Sequence, residues 1–352
     1  MTKRILTLLF SLLLLTGCET GLPSSPSNAA PADAVSASER ALTVHYIDVG
    51  QADSILLVSG EEAMLIDGGN RADGPDVVDY LAAQGVDRLD YAVATHPHED
   101  HIGGLPDVIQ NVDIGSFLLP EKTATTKIYL DMLDALDETE TPVSIPSPGD
   151  TFSLGSCTVE VLGPVKVYDD ANNNSIVLRV TCGDVTFLFT GDMETTAEQD
   201  LLAEGFDLSA DVLKLGHHGS STSSGADFLD AVDPSFAVIS CETGNDYGHP
   251  HRETIEAMAQ RNITVYRTDT MGTIVARCDG TTVTFTTGSG EAGSVPGSAQ
   301  ADTVYIGNKN SKKVHSSTCS GLPAEGNRVY FDTLQEALDQ GYTICGQCKA
   351  GQ

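Results

Sequence analysis

From residue 42 to 287 the chain alternates short apolar runs with amphipathic stretches. The runs at 42–48, 53–58, 63–67, 90–95, 114–119, 157–162, 175–181, 184–190, 211–215, 235–240, 263–267, 272–277 and 281–287 have the length and residue types of strands. Between them, 75–84, 127–136, 196–203, 226–232 and 252–260 place apolar side chains three and four residues apart, which predicts helices. This alternation predicts an α/β fold in which two sheets pack face to face under outer helices, a four-layer αββα sandwich. Roughly 250 residues is long for one domain but suits this layered type.

The ends differ from this body. Lys3 and Arg4 precede an apolar run over 5–15 that is too brief to span a bilayer, so residues 1–17 are expected to be an export signal. Leu15-Thr16-Gly17-Cys18 resembles the lipobox of bacterial lipoproteins. That resemblance implies lipid on Cys18 and a chain exported and lipid-anchored at the outer face of the bacterial cell membrane. Residues 18–40, rich in Pro, Ser and Ala, are expected to form a disordered tether, and the Gly/Ser-rich segment 289–302 a second linker. The body is thereby 41–288 and the tail 303–352. A net charge of −31, with 19 Lys and Arg in 352 residues, withholds the basic footprint of non-specific nucleic-acid binding. Most of the excess reads as a solvated acidic surface.

The densest chemistry follows the run at 90–95. His96-Pro97-His98-Glu99-Asp100-His101 holds three imidazoles and two carboxylates, the ligand types that suit zinc, manganese or iron. In extended backbone alternate side chains share a face, so His96 and His98 can grip one ion while Asp100 and His101, past a turn, reach a second. The plainer alternative is a solvated His-rich loop; a place at a strand end, where loops carry function, weighs against it. His217 and His218 follow another strand, and because adjacent side chains diverge they are not expected on one ion. His249 and His251 flank Pro250 in a further strand-end loop, where they either complete the site or meet a leaving group. His45, inside the first strand, reads as a hydrogen-bonded structural histidine.

The run at 96–101 resembles the His-x-His-x-Asp-His signature of the metallo-β-lactamase-fold hydrolases. Met64-Leu65-Ile66-Asp67-Gly68-Gly69 is similar to the family's early Asp at a strand end, and Leu188-Phe189-Thr190-Gly191-Asp192 to its later, metal-bridging Asp. The segments 45–54, 172–178, 214–220 and 247–251 narrow the resemblance to the branch that includes the extracytoplasmic hydrolase-like domain of the ComEC/Rec2 competence proteins. No run after the export signal is apolar for long enough to span a membrane, so the channel-forming part of those proteins is not expected within these residues.

The resemblance implies two divalent ions, zinc or manganese. Asp192 would bridge them, His218 would be a ligand, His217 an outer or substrate-facing group, and Asp67 would orient ligands. Asp100, His217 and Asp67 are the candidate catalytic residues. One departure stands out: many members carry another ligand histidine between the first motif and the bridging Asp, whereas no histidine occurs from 102 to 191. The His96/His98 ion would then be completed by water, by Asn173 or Asn174, or by His249. Asn172-Asn173-Asn174 reads equally as a turn.

Such a site lets water made acidic by one ion attack phosphorus or a carbonyl held by the other, with no Ser or Cys nucleophile. Gly103-Gly104 and Gly219-Ser220-Ser221 are expected to let a substrate oxygen approach the backbone. A phosphodiester ranks first by resemblance, with DNA and a cell-wall phosphodiester both open; β-lactams suit the fold, but fold does not select function. The alternatives are a catalytically weak or inactive ligand-binding relative and a surface DNA-handling lipoprotein.

In the tail, His315-x-x-x-Cys319 and Cys345-x-x-Cys348 form two close pairs, the arrangement of a closed tetrahedral zinc site. With an expected helix over 331–342 the tail resembles the Ada-type zinc-binding module, departing from it in having His315 where that module has Cys. A Cys345–Cys348 disulfide is the competing reading in an oxidising compartment, and Lys309, Lys312 and Lys313 beside His315 read either as a phosphate contact or as a solvated face. In the body, Cys157 and Cys182 flank strands that can pair, while they and Cys241 and Cys278 can equally be buried thiols.

Overall fold

The computed structural model describes residues 41–288, 292–293, 305–316, 319, 321–324, 327–331, 337–338 and 340–345. The expected export signal, Cys18, the tether, most of the second linker and Cys348 lie outside the described residues. No helix among the described residues is long and apolar enough to cross a membrane.

The first six strands are β1 (Leu42–Tyr46), β2 (Ile55–Ser59), β3 (Glu62–Ile66), β4 (Arg88–Val93), β5 (Asp113–Leu118) and β6 (Val143–Ser144). The next seven are β7 (Thr151–Leu154), β8 (Cys157–Gly163), β9 (Val177–Cys182), β10 (Val185–Phe189), β11 (Val212–Lys214), β12 (Phe236–Ile239) and β13 (Thr264–Arg267), and they form a separate sheet in the order β13-β12-β11-β10-β9-β8-β7. The chain then returns: β14 (Ile274–Cys278) pairs with β1, and β15 (Val283–Thr287) and β16 (Ala292–Gly293) complete a nine-stranded first sheet. Each half opens with antiparallel pairs and ends in parallel crossovers, β3 to β6 and β10 to β13.

The period of two in each strand decides what packs where. Leu57, Met64 and Val93 face Val159, Leu178 and Phe187 in a core between the sheets. Their neighbours Leu56, Leu65 and Ala92 turn outward onto α1 (Gly74–Ala83), α3 (Leu105–Asn111) and α4 (Lys127–Glu138). On the second sheet Leu188, Leu213 and Ala237 pack against α5 (Thr195–Glu204), α6 (Ala226–Val232) and α7 (Arg252–Gln260). The result is the expected αββα sandwich.

Elements that the pattern did not announce are short or glycine-flanked. α2 (Glu99–Ile102) has four residues, too few for a helical period, and α3 follows directly on Gly103-Gly104 and carries Pro106 near its start. A short α8 (Thr268–Met271) and the strands β6, β7 and β16 escaped in the same way. The two glycines also have a different duty from the one expected. A Cβ on Gly104 would lie 2.1 Å from the Gly68 carbonyl oxygen, and one on Gly103 would lie 2.3 Å from the Arg71 nitrogen. They allow backbone to pack on backbone beneath the 96–101 segment rather than opening it to substrate.

Cys157 and Cys182 meet across the antiparallel β8–β9 pair with a Cα separation of 4.4 Å and form a disulfide, whereas Cys241 and Cys278 are buried thiols. In the tail, β17 (Tyr305–Asn308), β18 (Lys313–Ser316), β19 (Arg328–Phe331) and β20 (Thr343–Ile344) form a sheet in the order β19-β17-β18-β20. Phe331 closes a strand here instead of opening a helix, because its ring joins Val314, Ala337 and Tyr342 in a small core.

Gly104→Ala is expected to destabilise the body by about 1–3 kcal/mol, the usual cost of overpacking, and to lower its thermal midpoint. A melting curve that matches the parent chain would show that this backbone contact is looser than described.

Candidate metal centre

The sequence-predicted residues converge at one edge of the sandwich, where the parallel strands end. β3 delivers Asp67, β4 leads into His96, β10 into Asp192 and β11 into His217 and His218. His96 lies in a bend, His98 on extended backbone just before α2, and Asp100 and His101 on the first turn of α2. Asp53 N donates to the Asp100 carbonyl at 3.0 Å and Gly68 N to the His101 carbonyl at 2.7 Å, fastening that turn to two neighbouring loops. Asp67, His217 and His218 all adopt left-handed backbone, with φ of 60°, 50° and 54°. Such strain in non-glycine residues costs on the order of 1–3 kcal/mol each and concentrates at functional sites.

The side chains form two groups that share Asp192. On one side Asp100, His101, Asp192 and His218 present ligand atoms all within 4.8 Å of one another. His218 Nε2 is 3.2 Å from Asp100 Oδ2, and His101 Nε2 is 3.3 Å from Asp192 Oδ1. Two atoms bound tetrahedrally at ~2.1 Å lie about 3.4 Å apart, so the spacing suits one ion. On the other side His96 Nε2 and His217 Nε2 each lie 3.8 Å from Asp192 Oδ2, and His98 Nδ1 lies 3.1 Å from His96 Nε2.

The outer contacts fix which nitrogen points inward. Asp67 Oδ2 accepts a hydrogen bond from His101 Nδ1 at 2.7 Å while Thr95 donates to both Asp67 oxygens. The Ser240 carbonyl can only accept, so His218 Nδ1 donates to it at 3.1 Å, which turns Nε2 toward Asp100 and Asp192. Glu194 Oε1, 3.2 Å from His217 Nδ1, does the same for His217. These are the carboxylate and carbonyl partners that orient metal-binding imidazoles.

The electrostatics ask for positive charge. Asp53, Asp67, Asp192 and, less completely, Asp100 are buried, and Asp53 is met by the buried Lys214, whose Nζ is 2.9 Å from Asp53 Oδ2. Burial depresses the His101 imidazole, but Asp192, Asp67 and Asp100 outweigh it and hold it well above the usual histidine range. Burial likewise opposes ionisation of Asp192, and His101 and His218 reverse that, keeping it well below the ordinary carboxylate range. His96, desolvated and beside His101, is pushed well below. Even so, His101 Nε2 and Asp192 Oδ1 are buried with no hydrogen bond of normal geometry among the described residues. Two inward-facing orphans of this kind fit a divalent cation.

Asn173 is corrected as a ligand: its Oδ1 accepts from Glu194 N and Ala197 N at 3.2 Å, tying down the start of α5. Asn174 is spent on its own loop through Tyr168. Asn172 is the member that faces the cleft, with a buried Oδ1 lacking a hydrogen-bond partner among the described residues. His249 sits at the rim, its Nδ1 3.3 Å from Gln51 Nε2 and its ring 5.5 Å from that of His217. Burial, with His218 next, lowers it to about 4, so it is a neutral ring at neutral pH. His251 ties two loops together, accepting from Ser221 N at 2.9 Å. His45 bonds Tyr80 Oη at 2.9 Å, away from the site. Asp53, Lys214 and Glu194 were not singled out from sequence, and Asn172 was quoted only with its two neighbours; Asp53 and Lys214 stood inside the quoted motifs, and for Lys214 an ionisable residue in an otherwise apolar strand was the available signal.

A cleft of about 340 Å³, lined by His98, Asp100, Asn172, Asp192, His217 and His249 among others, gives access to both groups. The profile of the metallo-beta-lactamase superfamily matches residues 47–243. The chain belongs to this superfamily. It is 30% identical over 262 residues to ComE operon protein 3 of Bacillus subtilis (strain 168), covering 69% of this chain and 34% of that protein. It is 33% identical over 245 residues to Competence protein ComA of Neisseria gonorrhoeae, covering 69% and 33%. The chain thus spans about a third of the length of these relatives. Among solved structures, the metallo-beta-lactamase fold protein YhfI from Bacillus subtilis aligns with a TM-score of 0.47 at 16% identity, over 68% of this chain and 99% of that one.

A second cluster lies in the tail. His315 Nδ1 is 3.3 Å from Cys319 Sγ, which is 3.6 Å from Cys345 Sγ, and all three residues are buried. These are three of the four expected zinc ligands; Cys348 lies outside the described residues. In the full chain loaded with zinc, a Cys319→Ser, Cys345→Ser double variant is expected to lose one equivalent of metal by elemental analysis. Unchanged zinc content would count against a tail site.

Lys214→Ala leaves Asp53 buried without its cation and is expected to cost about 3–5 kcal/mol by denaturant unfolding. Replacing the pair together, Lys214→Met with Asp53→Leu, is expected to recover most of that loss; a double variant as unstable as the single one would assign the cost to lost packing instead.

Proposed function

We propose that the chain is a metal-dependent phosphodiesterase with two divalent ions, zinc or manganese, exported and held at the outer face of the cell membrane by lipid on Cys18. The observation that carries the catalytic part is the Asp192 carboxylate, which turns one oxygen toward His96 and His217 and the other toward His101 and His218. A bridging carboxylate between two imidazole groups suits a pair of ions. In this reading His96, His98 and His217 with Asp192 hold one, and Asp100, His101 and His218 with Asp192 hold the other. His217 takes the place left by the histidine missing between 102 and 191, with Asn172 beside it, so that departure does not weaken the first site.

Bound ions supply Lewis acidity toward a phosphoryl oxygen and lower the pKa of water into the neutral range. The protein's part is orientation. Asp67 and the Ser240 carbonyl engage the Nδ1 atoms of His101 and His218, and Glu194 that of His217, leaving Nε2 of each ring as the atom that would exchange its proton for a bound ion. Asp100, a third exposed and held ionised by His101 and His218 against the penalty of burial, borders the cleft, where it can accept a hydrogen bond from water. Relatives named for competence support nucleic acid over a β-lactam as the source of the phosphodiester.

Hydrolysis of bis-p-nitrophenyl phosphate, single-stranded DNA and a glycerophosphodiester is the test. Activity on at least one is expected to vanish with chelator and to return with Mn²⁺ or Zn²⁺, and to fall at least about a hundredfold in Asp192→Ala. Glu194→Ala is expected to weaken metal binding about 10- to 100-fold. Full metal occupancy without turnover of any of the three would leave a ligand-binding relative as the better account.

A further inference from the structure

Tyr247 is 70% exposed, the most exposed large apolar side chain among the described residues, yet its surroundings are closely tied. Asn245 Oδ1 accepts from Tyr247 N at 3.1 Å and from His249 N at 3.0 Å, and His251 Nε2 donates to the Tyr247 carbonyl at 3.3 Å. The ring lies 24° from parallel with His249 at a centroid distance of 5.7 Å. His249 in turn stands 5.5 Å from His217 and 6.3 Å from His218. A line of aromatic rings therefore runs from the two ligand groups to the rim of the cleft and ends in a bare phenol on a tied backbone.

We propose that Tyr247 is a specificity-determining platform on which a nucleobase adjoining the substrate phosphate stacks. The inference rests on the phosphodiesterase reading for where the phosphate sits. An aromatic whose backbone is already fixed loses little entropy when it takes a partner, and stacking accepts any base because every base has a π-face. The neighbouring charge narrows the choice. Asp48, Asp73, Glu99 and Glu242 line a depression of about 580 Å³ that shares Tyr247 with the cleft. They offer a polyanionic backbone no phosphate contacts, so grip on a nucleic acid there falls to an uncharged base. A polyol phosphodiester has no planar face to present.

The test is titration calorimetry on the full chain loaded with Zn²⁺, with thymidine 5′-monophosphate, deoxyribose 5-phosphate and glycerol 3-phosphate as probes. The nucleotide is expected to bind roughly five- to a hundredfold more tightly than the sugar phosphate. Tyr247→Ala should erase that preference and leave deoxyribose 5-phosphate affinity unchanged, while Tyr247→Phe retains it. Equal affinities in the parent chain, a preference that survives Tyr247→Ala, a parallel loss of sugar-phosphate binding in that variant, or a tighter grip on glycerol 3-phosphate would each overturn the proposal. Base preference without phosphodiester turnover would leave this inference standing and remove the catalytic one; turnover without base preference would do the reverse.

Discussion

The Asp192 carboxylate, buried at the seam between the two sheets, is the constraint around which the site is arranged. Its two oxygens face imidazoles delivered by different loops, and those loops start from strands of both sheets. Such a carboxylate is costly to bury unless positive charge meets it from more than one side. The β4 loop brings His96 and His101 and the β11 loop brings His217 and His218, so the functional groups become neighbours only when the sheets stack.

The rest of the edge serves to hold those groups still. Asp67 is spent entirely on His101 and Thr95, Glu194 on His217 and its neighbours, and the Asp53–Lys214 pair joins the loop after β1 to the end of β11 beneath the site. Left-handed backbone at Asp67, His217 and His218 is supported by the same contacts. Glycines at 68, 103 and 104 let three backbone segments approach too closely for any side chain. Stability is therefore given up locally where orientation is gained, and the apolar core between the sheets supplies the surplus.

The tail repeats the logic on a smaller scale. Four side chains, Val314, Phe331, Ala337 and Tyr342, make up its buried apolar cluster among the described residues. That is little for an independent unit, and the converging His315, Cys319 and Cys345 offer a place where metal can add what the core lacks.

The amino-acid sequence by itself determined the layered fold and the positions of the longer strands and helices of the body, because apolar periods of two and of three to four are local signals that survive without context. The 96–101 run stood out because its imidazoles and carboxylates are dense in one short segment, whereas Asp67 and Asp192, single residues at strand ends, were linked to it only by the family resemblance. Tertiary structure alone decided what depends on which loops meet. It turned Asn173 to the start of α5 and Asn172 to the cleft, moved His217 beside Asp192, and set Glu194 behind it, since a side chain's direction in an irregular loop follows from packing rather than from any repeat. The return of β14 to the first sheet, the disulfide between Cys157 and Cys182, and the role of Gly104 in backbone contact belong to the same class: each joins residues far apart in the chain, and no period along the sequence encodes a partner at that distance.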